Sequence, residues 1–206
     1  MPLYCDLINL VAEVNADFLE KHPEEAAALA HSQELPRLNL ERHGAIRVGT
    51  AEELATIRRL FAVMGMHPVA YYDLAPAGVP VHSTAFRAIT AEAMGVSPFR
   101  VFCSLLRLEL IENTELRERA AAILAKRCIF TDEALRLIAL SEAQGGLNDA
   151  DANRFVEAAL ETFRWHHEAT VSAAEYPAWA APHRSTADVE AIKGPHNHHL
   201  TPRTLD

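Results

Sequence analysis

Cysteine is scarce in this chain. Cys5, Cys103 and Cys128 are odd in number and widely spaced, and no C-x-x-C occurs. That pattern excludes a disulfide framework and predicts reduced thiols, as in a cytoplasmic protein. Long apolar runs are missing too: no stretch reaches the ~18 uninterrupted residues that span a bilayer. The opening MPLYCDLINL has no basic n-region and no long apolar core, which predicts no signal peptide. Basic charge is in deficit, with 19 Lys and Arg against 28 Asp and Glu and a formal net charge of -9. A broad nucleic-acid surface needs the opposite balance, although a local basic pocket for a small acid is compatible with it. No G-x-S-x-G, Walker loop or G-x-G-x-x-G is present, so serine hydrolase, P-loop and Rossmann chemistry have no support. The expectation is a soluble cytoplasmic protein with neither membrane nor nucleic acid as partner.

What is present reads as one sizeable α+β unit. Half the residues are hydrophobic and 23% are charged, in 206 residues. Residues 1–42 carry apolar positions at helical spacing, then a loop with Pro36. From His43 the pattern changes. HGAIRVGT alternates as a strand, and Thr50 with Glu53 forms a capping box for a helix that Gly65 ends. MHPVAYYDLA and VHSTAFRAI read as strands on either side of a PAGVP turn, and FRVFCSLLRLEL as a fourth strand whose later half has helical character. Residues 43–110 therefore spell a β-α-β-β-β module with a mostly antiparallel open sheet. Residues 111–185 read as a helical insertion of three Ala/Leu/Glu-rich segments, with Thr114, Thr131 and Asn148 near their starts. In residues 186–206 a strand-like STADVEAIKG leads into a histidine cluster.

Eleven histidines make any single one weak evidence. His22, His31 and His183 read as solvated, His67 as structural, and His166 and His167 as helix-end residues. His43 is a better candidate, because Arg47 lies four residues on and shares its face of the strand. An imidazole and a guanidinium on one face suit a metal that holds part of an anion while arginine clamps its carboxylate. The terminal GPHNHHLTPRTLD offers His196, His198 and His199, and His199 with Arg203 repeats the spacing of His43 with Arg47. That echo suggests two copies of one module with the site between them. His82 is a further candidate. It shares a strand face with Thr84 and Phe86, while Ser83, Ala85 and Arg87 share the other, and a pocket-lining and a solvent-facing reading stay open.

The phrases ERHGAIRVGTAEELATIRRLFAVMGMHPVAYYDLAPAGVPVHSTAFRAI, EAQGGLN, ALETFRWHHEATV and KGPHNHHLTPRTLD resemble the 2-oxoadipate dioxygenase/decarboxylase family over essentially the whole chain. The family is also called D-2-hydroxyglutarate synthase, of lysine catabolism. The resemblance implies a vicinal-oxygen-chelate-like fold of paired β-α-β-β-β modules. It implies a non-haem Fe(II) held by two histidines and a glutamate, with a 2-oxo acid and O2 as the small-molecule partners. By position His43 and His199 are the implied metal ligands and Arg47 the implied carboxylate clamp. His198 stands where the family usually has Asn, so His196 and His198 remain alternatives to His199. The glutamate is expected beyond Asp206, and neither Glu109 nor Glu112 is supported in its place. The expectation is an apparently truncated second module with only its opening strand, whose uncovered sheet edge favours self-association. A non-catalytic remnant with weak metal binding, and a related dioxygenase or isomerase on another 2-oxo acid, are the rival readings.

Overall fold

The computed structural model describes residues 2–164, 169, 172–174, 176, 177 and 199–205. The strand expected over 185–194 lies outside the described residues, as do His166, His167, His183, His196 and His198. Of His199 the backbone is described.

Local signals set the first boundaries. Helices α1 (Pro2–Lys21) and α2 (Pro23–His31) are separated at His22, where Pro23 occupies the first turn of the second helix. Pro36 lies in a 3-10 turn, Leu35–Arg37. Strand β1 (Arg42–Val48) leads into α3 (Ala51–Val63), whose Thr50 side chain accepts a hydrogen bond from the Glu53 amide. Strands β2 (His67–Asp73) and β3 (Val81–Arg87) flank a turn that Gly78 closes at φ 77°. A six-residue helix that the sequence did not announce, α4 (Ala91–Val96), begins at a Thr90 cap and precedes β4 (Phe99–Leu106). Three more helices follow: α5 (Thr114–Leu124), α6 (Asp132–Gln144) and α7 (Asp149–Phe163). Thr131 and Asn148 cap the last two, but α5 is capped by Asn113 rather than Thr114. The chain returns as β5 (His199–Pro202).

The result is a mixed α+β fold around one sheet in the order β2-β3-β4-β1-β5. Among the described strands only the β1–β4 pair is parallel, and α3 with the two following strands provides the long connection that a parallel pair requires. One face of the sheet is covered. Ile46 and Val48 of β1, Phe86 of β3, and Val101, Cys103 and Leu105 of β4 pack against Ile57, Leu60 and Phe61 of α3, Leu137 and Ile138 of α6, and Phe155 and Ala159 of α7. Among the described residues the opposite face has no such layer along its middle. At one end it is closed by Val81 and Leu106 packed on Leu124 of α5. Gly49 sits under the same leucine, so close that a Cβ there would stand 2.2 Å from Leu124 Cδ2. No helix among the described residues is long and apolar enough to cross a membrane.

Candidate functional site

The alternation of β1 decides where its chemistry points. Gly44, Ile46 and Val48 are buried, and His43, Ala45 and Arg47 are half-buried on the other, open face. Register extends this face across the sheet in three rows. His43 lies beside Arg100 and then Arg87. Ala45 lies beside Phe102 and then Ala85. Arg47 lies beside Ser104, then Ser83 and Tyr72. A chain with a net charge of -9 thus collects three arginines on one sheet face, a setting for a small anion.

The upper row is organised by Glu41, which is 1% exposed. Its Oε1 accepts a hydrogen bond at 2.7 Å from His43 Nε2 and stands 3.5 Å from Arg100 Nε. Its Oε2 is 3.5 Å from both Arg37 Nε and Arg203 Nη1. Burial works to raise the Glu41 pKa, but the His43 hydrogen bond and the charges of Arg100 and Arg203 outweigh it. The carboxyl is held below its ordinary value. Arg203 also pairs with Glu34. The backbone around it is pinned by buried Asn15, which donates to Arg203 O at 2.9 Å and accepts from the Leu205 amide at 2.8 Å. The segment after β5 is therefore tied to α1 and to the start of β1.

Beyond Arg47 the lower row holds two hydroxyls and the Tyr72 ring, with Phe102 of the middle row beside that ring. Ser83 Oγ and Ser104 Oγ share a hydrogen bond of 2.6 Å. Tyr72 and Phe102, both exposed, stand with centroids 5.7 Å apart. The Val81–Leu106–Leu124 cluster walls off the face just beyond Ser83. A floor with a histidine and two arginines at one side, an apolar strip in the middle and Arg47 at a closed end suits an elongated acid.

The sequence reading meets the structure unevenly. His43 and Arg47 do share the open face. Strand β5 pairs antiparallel with β1, setting His199 opposite Ala45 and Thr201 opposite His43. Arg203, the arginine of the second His-x-x-x-Arg phrase, pairs with Glu34 and Glu41. His82 belongs to the other strand face, with Phe86, and its Nδ1 is 2.7 Å from Tyr71 Oη. Ser83, Ala85 and Arg87 occupy the open face instead. All three cysteines are free, and burial pushes the Cys103 thiol well above its ordinary pKa, so it is inert packing. No group of three His, Cys, Asp or Glu suited to a metal occurs among the described residues. Glu41 was missed by sequence reasoning. Its one signal was a carboxylate two residues before His43, at the spacing of a shared strand face.

The family model described as 2-oxoadipate dioxygenase/decarboxylase matches residues 1–206. A 2-oxoadipate dioxygenase/decarboxylase of Pseudomonas putida is 64% identical over 206 residues, which are 100% of this chain and 44% of that protein. The crystal structure of hydroxyglutarate synthase from Pseudomonas putida in complex with 2-oxoadipate superposes with a TM-score of 0.91 at 64% identity, covering 100% of this chain and 46% of that one. A putative glyoxalase superfamily protein from Ralstonia eutropha JMP134 shares the fold at 16% identity and a TM-score of 0.59, over 74% of this chain and 48% of its own. The chain spans under half the length of the curated relative it matches. With the family model matching from end to end, the chain belongs to the 2-oxoadipate dioxygenase/decarboxylase family.

Proposed function

We propose that the open sheet face is the metal- and substrate-holding surface of a non-haem Fe(II) enzyme that converts 2-oxoadipate and O2 to 2-hydroxyglutarate and CO2. The observation that carries this reading is the placement of His43 and Arg47 on one face of β1, with β5 registered alongside. Cross-strand partners and positions two apart share a sheet face, so positions 43 and 199 are diagonal neighbours at ~7–8 Å between backbones. That spacing suits two ligand-bearing positions serving one ion. The described residues fit a ferrous ion as part of its donor set: His43 offers a partly exposed imidazole whose Nε2 is already held by a buried carboxylate, the arrangement metal-binding histidines favour. Strand β1 with β2, β3 and β4 forms a vicinal-oxygen-chelate-like module on this reading, and β5 opens the second.

A bound ferrous ion would activate O2 and accept the 2-oxo acid through its oxygens. The chain's own residues do the rest. Arg47 neutralises a substrate carboxylate and fixes its orientation through charge-assisted hydrogen bonds. It lies four residues from His43, and at ~3.3 Å per residue this separation of ~13 Å leaves room for a six-carbon diacid between clamp and ion. Phe102 and Tyr72 give the methylene chain an apolar strip, and the Leu124 wall limits its length at the Arg47 end.

The test is calorimetric titration with 2-oxoadipate, with O2 uptake followed on the Fe(II)-loaded protein. Arg47→Ala is expected to weaken 2-oxoadipate binding roughly 10–100-fold, the worth of a charged hydrogen-bonded contact. Equal binding by parent and variant would overturn the assignment of the clamp.

A further inference from the structure

We infer that Glu41 is a positioning residue that holds the His43 imidazole in the orientation and tautomer a metal ion requires, while locking the segment after β5 onto β1. The inference rests on the proposed cation site at His43. Glu41 has two roles open to it, a brace in an ion-pair network or an orienter of the imidazole, and its contacts separate them. Three arginines surround the carboxylate, but all stand at 3.5 Å. They set the local potential without forming short bonds. Oε2 makes no hydrogen bond, although Glu41 is 1% exposed. The short contact, 2.7 Å, goes to His43, the residue whose side chain is 39% exposed on the open face.

A network built only for cohesion would place its short bonds among the buried groups. Here the buried carboxylate bonds the half-exposed ring. A carboxylate only accepts, so in the 2.7 Å contact with Oε1 the donor is Nε2 of His43. In carboxylate–histidine pairs of this kind the ion takes the ring nitrogen that the carboxylate does not hold. Glu41 also reaches Arg203, whose backbone carbonyl is held by Asn15. One carboxylate therefore ties the strand of one proposed ligand to the chain that follows the other.

The experiment uses Co(II) as the probe, read by its visible absorption, on the parent chain and on Glu41→Gln, His43→Ala and the double variant. Glu41→Gln keeps the volume and removes the charge. Its Co(II) affinity is expected to fall about 10–100-fold, the effect of losing an outer-shell partner. His43→Ala is expected to fall at least as far, and the double variant no further than His43→Ala. Arg37→Gln loosens the same network without touching the ring and is expected to keep the parent's affinity. If it matches Glu41→Gln, the effect is general loosening and the inference falls. If His43→Ala binds Co(II) as the parent does, the cation site itself is wrong. If His43→Ala weakens binding and Glu41→Gln does not, the site stands and the role of Glu41 is refuted. Nitrogen-15 correlation spectra of the metal-free parent give an answer independent of every variant: a His43 ring protonated on Nε2 supports the assignment, and one protonated on Nδ1 overturns it.

Discussion

The two faces of β1 alternate along the same seven residues and follow different rules. On the covered face Ile46 and Val48 are almost wholly enclosed, in one cluster with apolar residues of α3, α6 and α7. What matters there is volume, and any side chain of similar shape serves. On the open face His43, Arg47 and the arginines of the neighbouring strands keep polar groups half-exposed, with Glu41 buried at their edge. Identity matters there, because an imidazole, a guanidinium and a carboxylate each do what no isostere does. The comparison teaches that stability and chemistry are separated by a period of two.

Substitutions that attack this separation should sort by face. The largest loss is expected at the buried pair that anchors the end of β1. Arg127 Nε lies 2.9 Å from Glu53 Oε1, and Glu53 Oε2 accepts from the Gly49 amide at 2.7 Å. Arg127→Ala strands a buried carboxylate and should cost about 3–5 kcal/mol. Ile57→Ala, at a position with no exposure, should cost about 2–5 kcal/mol through the cavity it leaves. Thermal melts check both, at roughly 2–4 °C per kcal/mol for a chain of this size. Arg47→Ala should change stability by less than about 1 kcal/mol while weakening 2-oxoadipate binding. A melting loss as large as that of Ile57→Ala would break the distinction between the faces.

The smallest effect is electrostatic. The hydrogen bond from Arg203 holds the Glu34 carboxyl below its ordinary value, although burial opposes it. A depressed native pKa adds stability that is complete above the unfolded value of 4.5 and is lost as pH falls through the native value. Glu34→Gln should therefore lower the urea midpoint slightly at pH 7, and the gap should close in acid below pH 4.5. A gap that persists there would assign the effect to packing.

Much of the covered face was legible in sequence because its determinants are local. Alternation in HGAIRV and the caps at Thr50, Thr131 and Asn148 each operate within a few residues, whereas the Glu53 carboxylate expected to complete a capping box accepts from the Gly49 amide instead. Helix α4 escaped notice because AEAMGV is six residues long, includes a glycine and is announced only by its Thr90 cap. The parallel β1–β4 register could not be read, since it is set by packing between residues more than fifty apart. The open face was legible as His43 with Arg47 and as the shared strand face of Ser83, Ala85 and Arg87, but not as one surface. Glu41 acquires its meaning from Arg37, Arg100 and Arg203, which only the tertiary fold brings to it.

The central claim is that the open face binds iron through the two histidine-bearing strands. Its most direct test is an anaerobic Fe(II) titration of the parent chain, His43→Ala and His199→Ala. The account predicts that each variant loses more than about 100-fold in affinity, beyond the effect of any outer-shell partner. Affinity indifferent to both substitutions would contradict it.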